Sequence, residues 1–285
     1  MSPALWGTLT ALGWGSADFI ARYTGRALGH ETALFGMLSV SALALSLIVW
    51  QADVPWVADP GGWWLLLLTG VGVMGATLLL YWGLARGPVT VVAPIVGSYP
   101  AFNLALAVLL GSRPTATQWT AMAVVMAGVF VVARTSRSFE AETEHGRAEM
   151  RKTIVIAVLS AIAFAAAIAA GQAAAEIYGE LQTVFVARWI SVAAILALFL
   201  LVRRAPPRVP GRWWPVLAVQ GLLDGGAYVA LFAASHLPKA EIAVVVASAV
   251  TVILARVILR EAMTWPQWLG IAMIVAGAAA LSARG

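Results

Sequence analysis

Residues 63–83 read WWLLLLTGVGVMGATLLLYWG, and residues 213–233 read WWPVLAVQGLLDGGAYVALFA. Each stretch exceeds the ~20 mostly apolar residues that carry an α-helix across ~30 Å of hydrocarbon. Neither alternates apolar and polar positions as a barrel strand would. Both open on a Trp-Trp pair and place a glycine in the same register, Gly75 in one and Gly225 in the other, at an offset of 150. The two stretches therefore read as membrane spans and as copies of one another.

Working outward, the same criterion marks ten blocks: 3–22, 31–50, 62–83, 88–110, 116–134, 153–172, 181–202, 213–234, 239–259 and 265–282. The composition agrees, since 61% of the 285 residues are apolar or aromatic and 11% are charged, against about 45–50% and about 25% in soluble domains. The mean hydropathy is +0.89. These figures exclude a soluble enzyme and a disordered chain. With no cysteine there is no disulfide, thiolate metal site or cysteine nucleophile. The sequence pI near 10.1 does not mark a nucleic-acid binder, because the basic residues lie between apolar blocks rather than in a patch. The first block lacks a basic leader and is too long for a cleaved signal peptide, so a retained first helix is expected. Only 135–152 is long and polar enough to be a linker.

With ten spans, alternate connections fall on opposite faces. One face receives fourteen Lys and Arg residues, among them Arg22, Arg26, Arg86, Arg203, Arg204, Arg256 and Arg260; the other receives Arg113, Lys239 and Arg284. Cytoplasmic loops carry the Lys/Arg excess. The expectation is a multi-pass protein of a bacterial-type inner (plasma) membrane with both termini outside.

The 150-residue offset recurs. Phe35 maps to Phe185, Trp63-Trp64 to Trp213-Trp214, Pro88 to Pro238 and Ser98 to Ser248; after one deletion near 113, Gln118-Trp119 maps to Gln267-Trp268 and Ala127-Gly128 to Ala276-Gly277. Each half holds five spans, and five is odd, so the second half enters the membrane upside down. The expected fold is an all-α polytopic membrane protein, ten transmembrane helices as two inverted five-helix repeats. Residues 1–134 form the first repeat, 135–152 a cytoplasmic linker and 153–285 the second repeat. Inverted repeats are a common architecture of secondary transporters, with substrate held near the midplane between them.

Several short motifs carry a resemblance to a known family: Leu12-Gly13-Trp14-Gly15, Ala93-Pro94 with Tyr99-Pro100, Phe185-Val186-Ala187-Arg188, and Arg260-Glu261 before Gln267, Gly270 and Gly277. With its two five-helix halves, the chain resembles the drug/metabolite transporter superfamily, specifically the EamA-type exporters. The resemblance implies export of amino acids or other small metabolites or drugs, coupled to protons or by exchange. The sequence departs from strict repetition where Ser112 stands near the counterpart of Glu261, and where Val244 and Val250 replace Pro94 and Pro100.

Ionisable residues at membrane depth are costly and are functional candidates by default. Asp224 is the deepest, in Gln220-Gly221-Leu222-Leu223-Asp224-Gly225-Gly226, where three glycines permit local unwinding. It is a candidate for carrying a coupling proton, or else a structural carboxylate. Arg188, two turns into the seventh block, is suited either to a substrate carboxylate or to pairing with Asp224. Asp18 and Arg22 lie one helical turn apart, a spacing that predicts an i,i+4 ion pair; the alternative is a gate that pairs and unpairs. Glu241 at the start of the ninth block suits helix capping, with His236 in the loop before it. In the fourth block Pro94 and Pro100 each leave a carbonyl without its helical partner. A broken helix there places Pro94, Ser98, Tyr99 and Asn103 on a cavity, with Ser248 as the counterpart of Ser98. Trp14, Tyr81, Trp82 and Tyr228 lie within blocks and are candidate aromatic walls. Trp63, Trp64, Trp213, Trp214, Trp265 and Trp268 sit at block ends as an interfacial belt.

Other classes fit worse. Asp18 follows Ala17 and Asp224 follows Leu223, so the Tyr-Asp and Gly-x-Gly-Asp signatures of intramembrane aspartyl proteases are absent. His30-Glu31 is followed by Leu34 where a zinc helix needs histidine, and there is no phosphate loop. No repeated filter segment suggests a channel. The expected partners are the lipid bilayer, a small-molecule substrate and protons; no cofactor, metal or nucleic acid is expected. A lipid-linked, nucleotide-sugar or drug carrier of the same superfamily is the alternative.

Overall fold

The computed structural model describes residues 3–52, 55–111, 113–139, 144–202, 208–233, 242–261 and 263–282. No strand occurs among them. The helices are α1 (Pro3–Leu28), α2 (His30–Gln51), α3 (Trp63–Arg86), α4 (Val89–Gly97), α5 (Tyr99–Leu109), α6 (Ala116–Phe139), α7 (Glu144–Tyr178), α8 (Glu180–Leu201), α9 (Trp214–Ala233), α10 (Ile242–Ile258) and α11 (Trp265–Ser282). Pro94 and Pro100 divide the fourth block at Ser98, whose φ of −80° and ψ of 1° leave the helical path. Taken together, α4 and α5 make one broken rod, and the described helices form ten. Val244 and Val250 keep their N–H donors, so the counterpart rod α10 is continuous through Ile242–Ile258.

Six described segments are long and apolar enough to cross a membrane unaided: His30–Gln51, Trp63–Arg86, Val89–Leu109, Ala116–Thr135, Ala148–Tyr178 and Glu180–Leu201. Helix α1 carries Asp18, Arg22 and Arg26. The polar stretch 135–152 is largely helical, since α6 runs to Phe139 and α7 starts at Glu144. Good helix formers fill its second part, and Glu149 and Lys152 pair at 2.7 Å across one turn.

The packing repeats as the sequence does. Helix α1 lies on α9 and α10; its counterpart α7 lies on α3 and on α4 and α5. Helix α2 packs on α9, α8 packs on α3, and α6 packs against its own counterpart α11. A Cβ at Gly70 would stand 2.6 Å from Ile190 Cβ and 2.7 Å from the Ala187 carbonyl; one at Gly221 would stand 2.7 Å from Val40 Cβ and 2.8 Å from the Met37 carbonyl. Met37 and Val40 are the 150-residue counterparts of Ala187 and Ile190. Likewise Gly128 abuts Gly270 and Ile274, while Gly277 abuts Ala121 and Val125, the same contact at an offset of 149. The one-residue turns α1–α2 and α7–α8 each use a glycine of positive φ, Gly29 at 82° and Gly179 at 76°. Small residues let the backbones approach, as van der Waals packing between membrane helices requires.

Candidate functional site

On α9, Gln220, Asp224 and Tyr228 recur every fourth residue and share one face. The glycines beside them do not unwind α9, which is continuous from Trp214 to Ala233. They serve close approach instead. A Cβ at Gly225 would lie 3.0 Å from Ser41 Oγ, and its absence lets α2 come near enough for Ser41 to donate to Asp224 Oδ2 at 3.1 Å. From α8, Arg188 Nη2 reaches the same oxygen at 2.9 Å, with the two side chains 3% and 13% exposed. The Arg188 guanidinium lies 4.6 Å from the Tyr228 ring centre, and Tyr228 meets Trp14 of α1 edge-to-face at 4.8 Å. Asp224 and Arg188 are thus joined, as one of the two sequence readings of Arg188 had it.

A second polar hub adjoins this one. Gln220 Nε2 donates to Tyr81 Oη at 2.6 Å and to the Ala17 carbonyl at 3.3 Å, while Thr24 Oγ1 donates to Gln220 Oε1 at 3.0 Å. The fully buried Gln220 thereby ties α1 and α3 to α9, and removing it would leave several buried groups unsatisfied.

Trp14, Asp18 and Arg22 form one stripe of α1 by their spacing of four. Leu9, Leu12 and Tyr23, 42%, 49% and 41% exposed, project from the other side, so the stripe faces the bundle interior. The i,i+4 pair between Asp18 and Arg22 does not form. Arg22 Nη1 pairs with Glu261 Oε1 at 3.1 Å and donates to the Gly87 carbonyl at 2.7 Å. A carboxylate that caps a helix is the better partner: Glu261 also accepts from Val89 N–H at 3.1 Å, Thr90 N–H at 3.0 Å and Thr90 Oγ1 at 2.8 Å at the start of α4. Arg260, with a φ of 54°, turns the chain from α10 to aim Glu261 at α4. The last turns of α1 and the connections after α3 and α10 are thus tied together at one end of the bundle.

The remaining candidates are spread out. Ser98 is buried and donates to the Ile95 carbonyl at 2.6 Å, while Pro94 is buried in α4. Helix α5, which carries Tyr99 and Asn103, packs chiefly on α7, with α6 and α11 beside it, rather than on the elements that hold Asp224. Trp82 stacks on His30 at 5.9 Å and lies under Arg86 at 4.6 Å, so it belongs to another cluster. Glu241, His236 and Lys239 lie outside the described residues, as does the side chain of Ser248. The end-of-helix Trp63, Trp64, Trp214 and Trp265 are exposed. Among the described residues no group of three His, Cys, Asp or Glu is placed to hold a metal. Ser41, Thr24, Gln220 and Thr90 were not singled out from the sequence; for Gln220 the available signal was its place one turn before Asp224.

Three comparisons bear on the chain. The model of the EamA-like transporter family matches residues 1–134 and 151–283. A crystal structure of a protein shares the fold at a TM-score of 0.63, with 17% identity over 98% of this chain and 96% of that one. No curated protein matches significantly.

Proposed function

The chain belongs to the EamA-like transporter family, multi-pass membrane proteins that move small solutes, and on that premise we propose that it is a secondary active transporter working by alternating access. Its substrate in this reading is a small amphipathic metabolite such as an amino acid, moved outward across a bacterial-type inner membrane and coupled to protons or to exchange. The observation that carries the reading is the charged cluster of Asp224, Arg188 and Asp18 lying where the two halves meet, with one end of the bundle locked by Arg22, Glu261 and the start of α4.

The proposed cycle uses both features. Release of Glu261 from Arg22 and α4 opens that end, which the Lys/Arg bias assigns to the cytoplasm. The exchange of conformations between the halves then closes the other end. Asp224 alternates between Arg188 and a proton, and the break at Ser98 serves as the hinge of the fourth rod.

Reconstitution into liposomes tests this. Saturable flux of a radiolabelled amino acid, accelerated by the same solute on the opposite side or by a proton gradient, is the expected result. Continuous single-channel currents, or peptide cleavage without flux, would refute it.

A further inference from the structure

We propose that the seam between α1 and α3, at the arginine-rich end of the bundle, binds the phosphate of an anionic phospholipid through Arg26 and Arg86. This site is independent of the solute the chain moves.

The last turns of α1 and α3 touch there: a Cβ at Gly25 would stand 3.5 Å from Ala85 Cβ. Each helix brings one exposed arginine to the seam, Arg26 from α1 and Arg86 from α3. Both are held in place. Arg26 Nε donates to the Ala85 carbonyl at 2.8 Å, which anchors the group and leaves its Nη donors unspent. Arg86 lies 4.6 Å from the centre of the Trp82 ring, and that ring is stacked in turn on His30 at 5.9 Å. A ring contact consumes none of the N–H donors of a guanidinium.

No acid answers these charges. Among the described residues the carboxylates at this end are taken: Glu31 lies 3.5 Å from His30, Glu149 pairs with Lys152 at 2.7 Å and Glu261 holds Arg22 at 3.1 Å. The frame does not demand the pair either, since at the 150-residue offset Arg26 corresponds to Glu176 and Arg86 to His236.

The depth fits a lipid. Tyr23 stands one turn before Arg26 on the same outward face, is 41% exposed and meets Phe19 edge-to-face at 5.5 Å. Exposed tyrosines gather where hydrocarbon gives way to headgroups. At ~1.5 Å of rise per residue, Arg26 lies about 4.5 Å beyond that level, among the phosphates. Guanidinium groups bind phosphate through paired, charge-assisted hydrogen bonds, and basic clusters between the ends of membrane helices recognise anionic headgroups. A phospholipid satisfies both levels at once, its phosphate between the arginines and its chains against Tyr23.

Native mass spectrometry of the purified full-length protein, titrated with dioleoyl phosphatidylglycerol or dioleoyl phosphatidylcholine, tests the site. Phosphatidylglycerol should bind saturably and the more tightly of the two, because choline cancels the phosphate charge; excess glycerol 3-phosphate should not displace it. Loss of each arginine should weaken binding by about fivefold, so Arg26→Gln with Arg86→Gln should weaken it by about 25-fold. Arg26→Lys with Arg86→Lys should retain an intermediate affinity, since lysine keeps the charge without the fork. Arg208→Gln with Arg212→Gln removes two other exposed arginines from the same end and should leave binding nearly unchanged. Equal binding of the two lipids overturns the proposal, as does unaltered phosphatidylglycerol affinity in the folded Arg26→Gln and Arg86→Gln protein. Equal losses in the two glutamine variants would show diffuse charge rather than a site, and displacement by glycerol 3-phosphate would assign the arginines to a soluble phosphate; either refutes the lipid site. Should the Arg26→Gln and Arg86→Gln protein fail to fold, the lysine variant and the lipid ranking on the unmodified protein decide.

Discussion

Glu261→Gln isolates the lock at the closed end. The carboxylate accepts from Arg22, from the Val89 and Thr90 amides and from the Thr90 hydroxyl, at 2.8 to 3.1 Å. Glutamine is nearly isosteric but keeps only one acceptor oxygen and no charge. Its amide nitrogen faces donors on one side, so part of the set is lost outright. A hydrogen bond to a charged group contributes about 1.5–3 kcal/mol, against about 0.5–1.5 kcal/mol for a neutral one. Four weakened contacts, partly replaced, sum to about 3 kcal/mol against the closed end. Screening removes little of this, because the Arg22 and Glu261 side chains are only 13% and 12% exposed. With that end open both groups meet water, so the loss falls on the closed state and moves the ratio of closed to open by roughly 150-fold.

The chain contains no cysteine, so spin labels attach only where they are wanted. Ala27→Cys on α1 and Trp265→Cys at the start of α11 are exposed positions flanking the lock. Pulsed electron resonance between them should give one short distance in the parent and a predominantly longer one with Glu261→Gln. An unchanged distance distribution in a folded Glu261→Gln protein would refute the reasoning, showing that other contacts hold the end shut.

Three further expectations follow from local geometry. Asp224→Asn strands Arg188 at 3% exposure and should cost about 3–5 kcal/mol in chemical denaturation, with the double change Asp224→Leu and Arg188→Met recovering most of it; an undiminished single variant would contradict the pairing. Gly70→Ala forces a Cβ to 2.6 Å from Ile190 and should destabilise by about 1–3 kcal/mol through overpacking. Gly75→Ala, with nothing within 4 Å, should be neutral or mildly stabilising in the same melts. Arg260→Gly removes a side chain from a φ of 54° and should raise stability by about 1 kcal/mol, an effect absent if Arg260 makes a compensating contact.

The spans were legible because hydrocarbon imposes a length and a composition on each of them, and the repeat because paired motifs such as Trp63-Trp64 and Trp213-Trp214 survive at one offset. The charged members of the cluster were legible for a related reason: Asp18, Arg188 and Asp224 stand out against apolar neighbours. Their partners were not. Ser41 is one hydroxyl among several in α2 and becomes a ligand of Asp224 only through the approach that Gly225 allows. The i,i+4 rule sees only one helix, so it linked Arg22 to Asp18, whereas the carboxylate that takes Arg22 arrives from the other half of the chain. The glycines of Gln220–Gly226 suggested unwinding because sequence does not reveal which neighbour needs the room.

The repeat copies the packing but not the chemistry. Exchanging the halves sends Gly29 to Gly179, Met37 and Val40 to Ala187 and Ile190, and Gly128 to Gly277, and each finds an equivalent environment. The same exchange sends Asp18 to Ile168, Arg22 to Gln172, Arg188 to Leu38, Asp224 to Met74 and Glu261 to Ser112. A frame of two equal halves would hold its inward-open and outward-open forms at similar energy, since each form is the other with the halves interchanged. Charged residues present in one half only must break that balance. The Arg22–Glu261 lock favours closure of its own end, because the chain offers no second arginine and glutamate at the corresponding positions.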